Sequence, residues 1–115
     1  MKECNSDRTA KLNEFGLSEK SMDIIRGIYE RFPEVKKVLV YGSRAKGTFR
    51  EGSDIDMAIV ADGTLSRHTL MDIADAFDNS YLAYLTDISD LRALKNQNLI
   101  DHINRCGKIL YERKG

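Results

Sequence analysis

Asp54 and Asp56 are separated by one residue and follow the pair Gly42-Ser43 by ten intervening residues. Residues i and i+2 of a strand face the same way, so the two carboxylates would stand about 6–7 Å apart at the backbone. Two anions on one face repel unless a cation lies between them. Magnesium suits the pair, because it takes oxygen ligands, binds through one or two carboxylates and fills its shell from water and substrate phosphates. A third carboxylate would hold a second ion, as two-metal phosphoryl-transfer sites require. Asp87 is the leading candidate, since it interrupts the apolar run Tyr84-Leu85-Thr86-Asp87-Ile88. Asp90, at the end of that run, is the weaker alternative and reads as readily as a cap for the next helix.

The preceding loop offers an anion cradle. Gly42 permits a sharp turn and close approach of a phosphate to the backbone. A short helix opening at Ser43 would present free N–H groups, to which the serine hydroxyl adds a donor. From Val35 to Arg50 there are five basic residues and no acid. Arg44 and Lys46, in the turn itself, are placed to neutralise a triphosphate or a departing pyrophosphate. Ser53, directly before Asp54, completes the nucleotide-binding candidates Gly42, Ser43, Arg44 and Lys46. Either motif alone is commonly structural; joined by a basic, glycine-bearing loop, they describe an enzyme that moves a phosphoryl or nucleotidyl group. Arg50 and Glu51 read as a surface ion pair, His68 and His102 as solvated helical residues, and Tyr29, Tyr81, Tyr84 and Tyr111 as packing. Tyr41, beside Gly42, stands where it could abut a nucleotide.

The elements that must position these groups follow from periodicity. Ser18 caps a helix along which Met22, Ile25, Ile28, Tyr29 and Phe32 recur, and Pro33 ends it. Val35–Tyr41 reads as a central strand, apolar on both faces in its second half. Gly42 and Gly47 bracket a helical turn over 43–46, and a second strand spans 54–61. Ser66 caps a helix carrying Leu70, Ile73, Ala74 and Phe77, and a third strand is expected over 82–88. A broken helical region then runs from Leu91 to Gly107, before a terminal strand at 109–111. The order predicts an α/β (α+β) fold, a small mixed sheet with helices packed on it. Residues 1–16 show no period and are expected to form a flexible arm, with 17–115 a single domain.

Bulk properties narrow the functional classes. Eighteen basic and eighteen acidic side chains cancel, so no whole-molecule field favours nucleic acid or an anionic membrane. No apolar run approaches the ~20 residues of a membrane span, and no secretory signal is expected at the start. Cys4 and Cys106 fit no metal-ligand spacing and read as free thiols in a cytoplasmic protein.

Gly42-Ser43, ten residues, then Asp54-Ile55-Asp56 resembles the signature of the polymerase-beta-like nucleotidyltransferases, among them kanamycin nucleotidyltransferase and poly(A) polymerases. The phrase from Gly42 to Gly47 and the ending from His102 to Tyr111 are similar to the minimal nucleotidyltransferase (MNT) group. The resemblance implies that Asp54 and Asp56 chelate two magnesium ions on ATP, that Asp87 completes the ion nearer the acceptor, and that Ser43 holds the terminal phosphates. It implies transfer of AMP to a hydroxyl with release of pyrophosphate, Asp87 accepting the hydroxyl's proton. It also implies a partner, a helical HEPN-domain toxin silenced by AMP on a tyrosine. The acceptor is expected to come from outside or to sit in a cleft shared with another subunit, since this chain has no room for an appended substrate domain. Two rivals are a small-molecule (antibiotic-type) nucleotidyltransferase and a non-catalytic antitoxin that neutralises by contact. The terminal strand is also a possible homodimer surface.

Overall fold

The computed structural model describes residues 12–50, 52–63 and 65–113. Helix α1 (Glu19–Glu30) starts at Ser18, whose hydroxyl accepts from Ser21 N–H at 3.1 Å, and buries Met22, Ile25, Ile28 and Tyr29. Strand β1 (Val35–Tyr41) follows, then the single turn α2 (Ser43–Lys46) and strand β2 (Ile55–Ala61). Ser66 caps α3 (Arg67–Asp78) by accepting from Thr69 N–H at 3.0 Å. Strand β3 (Thr86–Asp90), a 3-10 turn (Leu91–Ala93), α4 (Gln97–Cys106) and β4 (Lys108–Glu112) complete the fold.

The sheet has the order β3-β2-β1-β4, antiparallel except for the parallel pair β2–β3, which α3 connects. It is the mixed sheet that the element order predicts. Alternation along the strands separates two faces. Val38, Val40, Ile55, Met57 and Ile59 enter the main core with Ile25 and Tyr29 of α1 and Ile73 and Phe77 of α3. Tyr29 is fully buried there and donates its hydroxyl to Met57 Sδ at 3.3 Å. On the opposite face, Tyr41 and Ala58 pack with Ile103 of α4, joined by Leu39, Leu91, Leu94 and Leu99.

Two expectations change. The third strand starts at Thr86 rather than 82, because β2 begins at Ile55 and Thr86 is its register partner. Leu85 gives only its carbonyl to Ile55 N–H at 2.9 Å and turns its side chain outward, 74% exposed. The arm expected over residues 1–16 is corrected at its end, residues 13–16. Residues 1–11 lie outside the described residues, but Phe15 and Leu17 are buried in the core and Asn13 Oδ1 accepts from the N–H groups of both.

Candidate active site

Three strands bring Tyr41, Asp56 and Asp87 to one level of the sheet. Tyr41 is the register partner of Asp56 across β1–β2, and Asp87 is its partner across β2–β3. Tyr41 belongs to the face covered by α4, so the row lies on that face, beyond the end of the Ala58–Ile103 cluster. Asp54 stands one residue before β2, on the exposed approach to the same row.

The electrostatics report this proximity. Partial burial pushes the Asp56 carboxyl above its ordinary range, and the charges of Asp87 and then Asp54 push it further. The Tyr41 phenol is raised by burial first and by Asp87 second; the neighbouring Ser89 hydroxyl opposes this, and Asp56 adds a smaller upward push. Among the described residues, none of the three aspartates forms an ion pair. Nor are any three acidic, histidine or cysteine side chains gathered tightly enough to cage a metal by themselves. This is a cluster of uncompensated oxygen donors, incomplete without ligands from elsewhere. It fits a hard divalent ion that arrives with phosphate and water in its shell, and it does not fit a structural metal with an all-protein cage.

Gly42 joins the carboxylates to the cradle. Its φ of 74° and ψ of −149° fall in a region that glycine alone occupies comfortably. A Cβ there would stand 2.5 Å from Asp56 Oδ2, so the turn lies directly against the carboxylate. No side chain caps the start of α2, and Ser43 opens that turn half-buried. Lys46 is exposed at its end, and among the described residues its amine forms no ion pair.

Arg44 is not such a ligand. It is 2% exposed, and its guanidinium donates to backbone carbonyls of Phe15 and Ser53, which corrects the nucleotide-contact expectation. Ser53 likewise serves the loop, its hydroxyl accepting from Arg50 N–H at 2.8 Å and its carbonyl receiving Arg44. Asp90 is buried and accepts from Leu65 N–H at 3.2 Å and Arg92 N–H at 3.1 Å, so it caps the 3-10 turn while Asp87 stands beside Asp56.

Sequence reasoning missed two neighbours. His102, expected in solvent, lies edge-on to the Tyr41 ring with centroids 6.2 Å apart, whereas His68 is exposed as expected. Ser89, two residues past Asp87 on the same strand face, is near enough to the Tyr41 phenol to hold its pKa down. That i+2 spacing was the available signal for Ser89; nothing local marks His102.

The family model described as "Polymerase beta, Nucleotidyltransferase" matches residues 23–115. The chain belongs to that family of nucleotidyltransferases. No curated protein matches its sequence. A solved toxin–antitoxin structure with AMP-PNP is 26% identical, with 85% of this chain and 76% of that one covered and a TM-score of 0.66. A tri-AMPylated Shewanella oneidensis HEPN toxin in complex with an MNT antitoxin is 23% identical, covering 83% and 72% at a TM-score of 0.62. The toxin–antitoxin MntA–HepT structure gives 23% identity, 84% and 74% coverage and a TM-score of 0.62. At 23% identity these last two speak for the fold alone. Among the described residues, no helix is long and apolar enough to cross a membrane.

Proposed function

We propose that this protein is an adenylyltransferase that moves AMP from ATP to a tyrosine hydroxyl of a helical HEPN-domain toxin in the cytoplasm, thereby silencing it. The observation that carries the reading is the carboxylate row, Asp56 beside Asp87 with Asp54 at its approach and the Gly42 turn pressed against it. Its likeness to a toxin–antitoxin structure with AMP-PNP supports both the nucleotide and the kind of partner.

Asp54, Asp56 and Asp87 would hold two magnesium ions, which when bound stabilise charge on the α-phosphate and acidify the attacking hydroxyl. The protein's own groups orient the reaction. Ser43 and the Gly42 turn hold the terminal phosphates, and Lys46 lies within the same turn to offset pyrophosphate charge as it leaves. The acceptor oxygen bonds to the α-phosphorus while the bond to the bridging oxygen of pyrophosphate breaks in line. Asp87, exposed at the outer strand of the row, takes the hydroxyl's proton.

The openness of the row favours a macromolecular acceptor over a small one. Asp54 and Asp87 are exposed and Asp56 is only half-buried. Small-molecule sites are ordinarily concave and enclosing. AMP on a tyrosine adds bulk and negative charge, which opposes binding of anionic RNA by the modified partner.

The test pairs the purified protein with the product of the neighbouring open reading frame, magnesium and α-labelled ATP. Label should appear on the partner and vanish with Asp54→Asn, Asp56→Asn or Asp87→Asn. Partner neutralisation that survives these substitutions would establish a contact antitoxin instead, and label on a soluble hydroxylated compound would establish the small-molecule alternative.

A further inference from the structure

Arg44 is a buried cation with no carboxylate partner among the described residues. Its Nη1 donates to Phe15 O at 2.8 Å and, more weakly, to Gly16 O at 3.4 Å. Nε and Nη2 both donate to Ser53 O, at 3.1 and 2.7 Å. The guanidinium carbon lies 4.6 Å from the centroid of the Tyr84 ring and 5.2 Å from that of Phe49. Carbonyl oxygens and aromatic faces therefore balance the charge.

Burying a cation is unfavourable, and an apolar side chain of similar length would fill the space without that cost. What an apolar side chain would not do is tie these segments together. Arg44 follows Ser43 directly; Ser53 precedes Asp54 directly; Tyr84 precedes Asp87 by three residues. The planar fork is thus fastened to each chain segment that carries a reacting group, and to the segment leading into α1.

We propose that Arg44 is a positioning residue that fixes the spacing between the anion cradle at Ser43 and the carboxylates at Asp54 and Asp87, before any nucleotide arrives. The inference rests on the nucleotidyl-transfer reading and assigns this arginine a role distinct from phosphate binding. Lysine keeps the charge but lacks the fork, so it cannot hold Phe15 O and Ser53 O together. A misplacement of about 1 Å is enough to lower a rate by roughly a hundredfold.

Two measurements test it, using the full chain. Amide hydrogen exchange of Arg44→Lys should show faster exchange in 42–48 and 53–56 together, by at least about tenfold, with α1 and α3 unchanged. Label transfer should show kcat reduced by about ten- to a hundredfold with KM for ATP within about threefold. Methylguanidinium should restore rate to Arg44→Ala and not to Asp56→Asn. Exchange that rises throughout the chain, or in only one of the two segments, overturns the strut, as does an Arg44→Lys protein with wild-type kcat. A wild-type protein that transfers no label would instead sink the transfer reading, and the exchange experiment would still decide the strut.

Discussion

Gly42→Ala separates the backbone demands of the turn from its chemistry. At φ 74° and ψ −149° a side chain brings steric strain of about 1–3 kcal/mol, paid in stability. The new methyl would also begin 2.5 Å from Asp56 Oδ2, closer than carbon and oxygen tolerate, so the carboxylate must move. A shift of about 1 Å at a group that orients the reacting phosphate corresponds to roughly a hundredfold loss of rate. Gly47 provides the control: its φ of 82° and ψ of 10° are left-handed helical, and an added Cβ meets nothing within 4 Å. Gly47→Ala should therefore lose about 1–2 kcal/mol of stability and leave the rate within a few-fold. Urea unfolding gives the two stabilities, and label transfer at saturating ATP gives the two rates. Equal rate losses in the two variants, or a wild-type rate in Gly42→Ala, would refute the argument that the turn is shaped by its contact with Asp56.

Asp90→Ala strips two backbone N–H groups of a buried charged acceptor and should lower stability by roughly 2–4 kcal/mol, with near-normal activity per folded molecule. Asp87→Ala should do the reverse, abolishing transfer with little effect on urea unfolding. Because the Asp56 carboxyl is raised in the folded protein, the native state holds its proton more tightly than the unfolded chain. Its favourable contribution is present below the ordinary aspartate range and is lost as pH rises through the raised value, leaving a net penalty at neutral pH. Asp56→Asn should thus unfold at higher temperature than wild type at pH 7 without metal, an advantage that shrinks on acidification to the ordinary aspartate range; a less stable variant at pH 7 would contradict it. Gly27, inside α1 with nothing within 4 Å of an added Cβ, should gain about 0.5–1 kcal/mol as alanine, measured by urea unfolding.

Local signals were legible where the physics is local. Ser18 and Ser66 announce helix starts because each hydroxyl serves an N–H three residues on, and Gly42 and Gly47 bound α2 because both need positive φ. Arg44 misled because its partners come from three separate segments; within a basic loop, nothing distinguishes a buried strut from a phosphate ligand. Phe15 was hidden for a related reason, a lone apolar residue without a period that nonetheless reaches the core. His102 meets Tyr41 only once α4 has folded across the sheet.

The placement of Asp87 shows how chemistry and folding share one constraint. From the sequence, its meeting with Asp56 is conditional on which strands pair and in what register. In the parallel β2–β3 ladder, Met57 opposite Ile88 turns into the main core and Asp56 opposite Asp87 turns to the other face. A slip of one residue would send Asp87 into that core and bring Ile88 out among the carboxylates. The partial burial of Ile88 against the main core thus disfavours the register that would scatter the acidic groups, and the mutual repulsion of those groups is tolerated because the core specifies the pairing. Substitutions that loosen Ile88 packing should therefore erode transfer activity even though that side chain points away from the site.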